Sequence, residues 1–178
     1  VCNSYIVGSI QGSELYDFDP ATGIVSNCQV LNTTAPFYGA EFSPDNTKLY
    51  SMDVTSSGAL LAQYDITLPT TAAIIASRIN VHSSPSLGTD LKLGPDGRIY
   101  TNAPGGFTGQ LDCITSPNTA GVACNYVSNA VSLAPNTGIF GLPNMVVSVV
   151  PDTFYARFDT TACIPPVSGI TIASHHTG

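Results

Sequence analysis

The sequence predicts an all-β fold built from repeated four-stranded antiparallel units, and three observations carry that expectation. A phrase occurs twice: residues 38–50 read YGAEFSPDNTKLY and residues 88–100 read GTDLKLGPDGRIY, so Pro44-Asp45 returns as Pro95-Asp96 at an offset of 95 − 44 = 51. A second element recurs as Tyr16-Asp17-Phe18, Tyr64-Asp65-Ile66 and Leu111-Asp112-Cys113, with aspartates 65 − 17 = 48 and 112 − 65 = 47 residues apart. Each is followed by a turn and then a third apolar stretch, IVSNCQVL, AIIASRINV or ACNYVSNAVSL. Apolar, β-branched runs bounded by Pro, Gly, Asn and Asp mark strands, and a long period of such units marks a repeat architecture.

Taken in order, the middle unit predicts strands over about 38–43, 48–54, 59–67 and 73–81. Its first turn, SPDNTK, and the matching GPDGR place Pro44 and Pro95 where φ near −65° is needed. Asp45 and Asp96 follow as turn residues, and Asn46 and Gly97 fall where a positive φ is expected. Four antiparallel strands in about fifty residues read as one blade of a β-propeller, whose faces are covered only by neighbouring blades. The expected layout is a partial blade over 1–35, blades over 36–86 and 87–137, and an extra inner strand over 139–150. The first unit supplies only three strands. The total of about three blades falls short of the four to eight that close a ring, so the chain is expected to be part of a larger propeller. From Pro151 the period stops, and residues 151–178 read as a linker or the start of a following domain.

Composition narrows the function classes. The 178 residues carry only 10% charged side chains and a net charge of −7, with five Lys and Arg together. An acidic, cation-poor surface argues against nucleic acid or an anionic membrane as partner. Mean hydropathy is +0.21, but no run reaches the eighteen or so apolar residues of a membrane helix. Low charge with abundant Ser, Thr and Asn leans toward an exported β protein. Of the five cysteines, Cys113 and Cys124 flank the turn-rich SPNTAGVA; if the strands around them pair, they are disulfide candidates in an oxidising compartment. Cys2, Cys28 and Cys163 cannot be paired from the sequence. Val1 leads directly into strand-like sequence, which reads as a mature, trimmed or partial chain.

No arrangement of residues predicts catalysis, a cofactor or a metal. Asp17, Asp65 and Asp112 recur with the repeat, so they are expected around a ring, capping turns, rather than converging. Asp17-Phe18-Asp19 with PATG lacks the ligands of a calcium loop, and no Cys-x-x-Cys pair exists. His82 is the only histidine within the repeats, and no nucleophile motif accompanies it. The Gly-rich APGGFTG precedes a strand and lacks the phosphate-binding lysine. Tyr5, Tyr16, Tyr38, Tyr50, Tyr64 and Tyr100 fall at strand positions, where packing between blades is expected over stacking on sugars. Asn32-Thr33-Thr34 is an acceptor pattern for N-glycosylation. His175-His176 reads as a solvated tail.

The series EFSPDNTKLY, QYDIT, LKLGPDGRIY, SPNTAGVACNY and GLPN resembles the propeller region of Bacteroidetes gliding-motility-associated, type IX-secreted surface proteins. More loosely, it is similar to YVTN/lactonase-like propellers. The resemblance covers most of residues 5–150. It implies a secreted or cell-surface protein with a structural or adhesive role, in which the propeller precedes immunoglobulin-like modules and a sorting domain. It implies no catalytic residues. The expected partners are the remaining blades of a parent chain or identical neighbouring subunits, with a surface glycan or protein as a further ligand. The alternatives are a glycan- or peptide-binding propeller module and, below it, a lactonase-like hydrolase.

Overall fold

The computed structural model describes residues 2–7, 10–32, 37–86, 89–103, 108–139 and 141–143. The described chain is all-β apart from one short helix and one 3-10 turn, and its strands form three separate antiparallel sheets. The first has three strands, β1 (Cys2–Val7), β2 (Ile10–Phe18) and β3 (Val25–Asn32), in sequential order. The second has four, β4 (Phe37–Phe42), β5 (Lys48–Thr55), β6 (Gly58–Asp65) and β7 (Ile79–Ser84). The third has β8 (Leu91–Leu93), β9 (Ile99–Asn102), β10 (Gln110–Ile114) and β11 (Tyr126–Ser132). Each is a meander with open edges, and the described sheets do not close on one another.

The two copies of the doubled phrase form the first hairpins of the second and third sheets. Asn46 N–H donates to Ser43 O at 2.8 Å, and Gly97 N–H donates to Gly94 O at 3.1 Å. Pro44 and Pro95 therefore sit second in their turns, and Asn46 (φ 56°) and Gly97 (φ 76°) take the left-handed residue that lets the strand return. The second hairpin is one residue shorter, so Leu49 and Tyr50 correspond to Ile99 and Tyr100 at an offset of 99 − 49 = 50.

Alternation along β5 and β6 seals the middle sheet on both faces, because successive strand residues point to opposite sides. Leu49, Ala62 and Tyr64 pack with Leu15 and Leu31 of the first sheet and Ile74 of the helix. Tyr50, Met52, Ala59 and Leu61 pack with Leu91, Ile99, Ile114 and Cys124 of the third. Leu49, Leu61, Leu91, Ile99 and Ile114 are all at most 1% exposed. Burying each such side chain contributes about 1.5–3 kcal/mol. The first strands of the second and third sheets also touch: a Cβ on Gly39 would lie 2.7 Å from Asp90 Cα and Leu91 N. Only glycine permits that approach.

The fourth strand of the middle unit starts later than its sequence predicts. Residues 71–76 form helix α1 (Thr71–Ala76), and β7 begins at Ile79. The Thr70 hydroxyl accepts from Ala73 N at 3.2 Å and caps the helix. Ser77 ends it, its N–H and hydroxyl both bonding back to Ile74 O at 3.2 and 2.6 Å. Ile74, which reads as a strand residue, is instead the one buried side chain of a helix lying against β3. In the third unit the stretch opens as a 3-10 turn (Gly121–Cys124), and β11 starts only after Asn125 at φ 57°. Residues 139 and 141–143 are irregular, and the rest of the strand expected over 139–150 lies outside the described residues, as does the 151–178 segment.

Candidate functional site

The residues that hold successive sheets together form the most developed polar sites of the molecule. Between the second and third sheets, Gln63 sits opposite Tyr50 in the β5–β6 ladder. Its amide Nε2 donates to Tyr50 Oη at 2.6 Å and to Thr119 O at 2.8 Å, and its Oε1 accepts from Gly121 N at 2.7 Å. Tyr50 Oη donates in turn to Pro117 O at 2.8 Å. Both ends of the amide and the phenol are satisfied in a site where an unpaired group would cost about 1–3 kcal/mol. Burial raises the Tyr50 pKa and keeps it a neutral donor. At the first strands, Glu41 accepts from Leu93 N at 3.0 Å and so reaches the backbone of the neighbouring sheet.

On the opposite face of the middle sheet, Asp53 accepts from Ser51 Oγ and Arg78 Nη2, both at 2.7 Å. Asp53 is 3% exposed at its side chain and Arg78 28%. Burial works against the Arg78 charge, but its bond and proximity to Asp53 outweigh that and raise its pKa. A glutamine inside the apolar run LLAQYD, an aspartate in β5 and an arginine just before β7 belong to no motif that the sequence displays. A polar residue amid an apolar strand is the signal that points to them, since a buried amide must be paired.

The aspartates of the second recurring element do not converge. Asp65 accepts from Thr67 N at 3.1 Å and Thr67 Oγ1 at 2.6 Å, and pairs with Lys48 at 3.0 Å. The Thr67 hydroxyl, followed by Lys48, holds its carboxyl below the usual range. Asp17 accepts from Asn27 Nδ2 at 3.0 Å. Asp112 differs from both in place: it pairs with Thr101, where Ala62 pairs with Ser51 in the middle sheet. By register it replaces Ala62, and Thr115 stands where Asp65 stands. Asp112 is 1% exposed, accepts from Tyr126 Oη, and takes Asn129 N at 2.7 Å. It secures β11 across the irregular pairing between Leu111 and Cys113.

Asp45 and Asp96 bind their own turns. Asp45 Oδ1 accepts from Ser43 Oγ at 2.7 Å and Thr47 N at 3.0 Å, and the Ser43 bond leads the lowering of its pKa. Asp96 accepts from Arg98 N at 3.2 Å and Tyr100 Oη at 2.7 Å. Burial, then Asp96, pushes the Tyr100 phenol up to about 12.

Cys113 and Cys124, the expected disulfide, are two separate buried thiols. The reason lies in strand geometry. Ile114 shares a cluster with Cys124, and the preceding residue, Cys113, points to the other face of the sheet. Burial raises the pKa of both thiols and leaves them poor nucleophiles at neutral pH. Cys28 is a free, exposed thiol.

His82 stacks on Tyr126, with ring centroids 4.2 Å apart and planes 18° from parallel. It borders an open groove of about 400 Å³ with Leu60, Asn80, Val81 and Ser83. A second, apolar groove of about 190 Å³ lies over Tyr100 and Leu111. Among the described residues no three His, Cys, Asp or Glu side chains are placed to hold a metal ion, and no helix is long and apolar enough to cross a membrane. Most of the APGGFTG loop, Thr33-Thr34 of the acceptor pattern and His175-His176 lie outside the described residues. The chain matches no protein-family model and no curated protein.

Proposed function

We propose that this chain is a run of β-propeller blades within a secreted or cell-surface protein, with a non-catalytic structural or adhesive role. The observation that carries the reading is the stacking of sequential antiparallel sheets, with first strands β4 and β8 side by side at Gly39 and Asp90-Leu91. Blades of a propeller meet in this way around their common axis. The polar groups sited between sheets are occupied in joining them, which favours a scaffold over an enzyme. The low charge content and the resemblance to type IX-secreted surface propellers support export.

Two experiments test the two halves of this reading. Electron microscopy of the purified parent protein is expected to show a ring-shaped particle; an extended stack without a central axis would overturn the propeller. Antibody against the chain is expected to label intact cells or the culture medium, and labelling only after lysis would overturn export.

A second reading, a glycan-binding blade, draws on the open groove at His82, where a stacked aromatic pair lies beside Asn80 and Ser83. Stacking faces with adjacent amide and hydroxyl groups suit a sugar ring. Binding on a glycan array, lost with Tyr126→Ala, would favour it over the structural role.

A further inference from the structure

We propose that two copies of this chain associate head to tail, the Tyr100–Leu111 face of the third sheet in one copy packing on the Glu14–Val30 face of the first sheet in the other. The inference rests on the propeller reading and supplies its partner, since two copies of three sheets make 2 × 3 = 6, within the four to eight that close a ring. The two faces are the two halves of a contact that the molecule already makes twice. The middle sheet turns its Leu49 face to the first sheet and its Tyr50 face to the third. The third sheet turns Ile99, which stands where Leu49 does, to the middle sheet, and its Tyr100 face lines an open groove. In the first sheet Leu15 and Leu31 turn to the middle sheet. Leu15 stands where Gln63 does, by the same 48-residue step that leads from Asp17 to Asp65. The first sheet therefore buries its Tyr50-type face and presents a Leu49-type face. One copy thus offers one surface of each type, which is what a head-to-tail contact needs.

Both faces have the character of an interface. In the first sheet Glu14 and Phe18 alternate with Leu15 and so point away from the middle sheet, and Val30 and Val25 pair with them. Phe18, Val25 and Val30 are each at least 40% exposed, and large apolar side chains gathered on one sheet face mark a docking surface. The third sheet offers an apolar groove of about 190 Å³ between Tyr100, Leu111, Leu142 and Pro143. Charge favours this pairing of faces. Residues 1–32 carry Glu14, Asp17 and Asp19 and no Lys or Arg. The Tyr100 face carries Lys92, which pairs with Tyr100, and Arg98, two residues before it. Their own carboxylates, Asp90 and Asp96, sit loosely at 3.5 and 3.7 Å, with the side chains partly exposed, so both cations have room for a second. The contact between the middle and third sheets shows where. Tyr50 Oη donates to Pro117 O, and Asp45 N donates to Asn118 Oδ1 at 3.4 Å, both in the loop between the third and fourth strands of the next sheet. The same contact made by the 94–98 hairpin brings Arg98 to the 19–24 turn of the other copy, beside Asp19.

Sedimentation equilibrium of the full chain over a range of concentrations tests the proposal. The expected limit is a particle of 2 × 18.5 = 37 kDa that dissociates on dilution. Val30→Lys, and separately Lys92→Glu combined with Arg98→Glu, are each expected to weaken association at least about 10-fold, because each sets like charges face to face. Mixing the two variants is expected to restore association: one contact of the mixed pair is unaltered and the other carries the charges exchanged. A single-chain mass at every concentration would overturn the proposal, as would a mass that climbs past two copies. Association indifferent to Val30→Lys, or a mixture that stays dissociated, would overturn the head-to-tail order. Amide hydrogen exchange on the same samples reads the fold separately. Protection of β4–β6 and β9–β10 with a single-chain mass counts only against the association, whereas loss of that protection counts against the propeller reading.

Discussion

Tyr50 and Tyr100 hold the same place in two copies of one hairpin, and the molecule uses them differently. Tyr50 is fully buried, donates to Pro117 O of the next sheet, and is backed by Gln63. Tyr100 is half-buried, turns its hydroxyl back to Asp96 in its own turn, and has Cys113 where Gln63 would be. On this face the middle sheet thus turns Tyr50 and Gln63 to a neighbour, while the third turns Tyr100 to its own hairpin and leaves an apolar groove above Leu111. A repeated sequence specifies the hairpin locally. The partner specifies what lies on its face.

The largest expected effect breaks the comparison at its ion pairs. Asp53→Ala leaves the Arg78 guanidinium without its carboxylate in a largely buried site and is expected to cost about 3 kcal/mol. The pair nearest the first strand of the third sheet, Asp90–Lys92, is 3.5 Å apart with both side chains more than a fifth exposed. Asp90→Ala is expected to cost at most about 1 kcal/mol. Urea unfolding of both variants checks the contrast, and equal losses would show that the two sheets are anchored alike. Gly39→Ala comes next, at about 2–3 kcal/mol, because its methyl would meet the Asp90–Leu91 backbone at 2.7 Å. Gly141, one repeat step beyond Asp90, has no atom within 4 Å of an added Cβ, and Gly141→Ala is expected to change stability by less than about 0.5 kcal/mol. Gln63→Leu follows at about 2 kcal/mol, since it strands the buried Gly121 N–H and Thr119 carbonyl. Cys113→Ala, at the matching place, is expected to cost about 1 kcal/mol, a lost sulfur contact alone.

The hairpins and the sheet order could be read because their signals are local. Pro44-Asp45-Asn46 and Pro95-Asp96-Gly97 carry the dihedral preferences of a tight turn in themselves, and alternation in KLYSMDVT needs no partner to be seen. Four features were hidden for want of long-range information. The pair Ile74-Ile75 has strand propensity, but Thr70 and Ser77 supply caps at both ends and the apolar face of the first sheet accepts a helix there. Cys113 and Cys124 are near in sequence, yet facing is set by the strand phase through Ile114. Asp112 looked equivalent to Asp65 because both follow an apolar residue and close a similar phrase. Its pairing with Thr101 of β9 puts it instead at the place of Ala62, which pairs with Ser51, and only that cross-strand register separates the two aspartates. The Gln63 network was the least legible, as its partners come from a loop 56 and 58 residues away.

The smallest expected effect sharpens the comparison through pH. Asp65, opposite Lys48 in the middle sheet, has its carboxyl held below the ordinary range by Thr67 and Lys48, whereas the third sheet has Thr115 there. A lowered folded pKa means the native state holds the ionised form more tightly than the unfolded chain does. That contribution is present above the unfolded carboxylate pKa of about 4 and is lost as pH falls through the lower folded value. Asp65→Asn is therefore expected to lower Tm slightly at pH 7, by at most about 2 °C given the partly exposed pair. The gap between variant and unaltered chain should close toward pH 3. Tyr100 supplies the opposite sign. Its phenol, raised to about 12, stabilises the fold below the unfolded value of about 10, and that contribution is lost as pH climbs from 10 through 12. Tyr100→Phe should thus gain on the unaltered chain across that alkaline window alone. Thermal scans at pH 3, 7, 10 and 11 separate the two, and a gap that stays constant with pH at either position would assign that side chain a packing role without an electrostatic one.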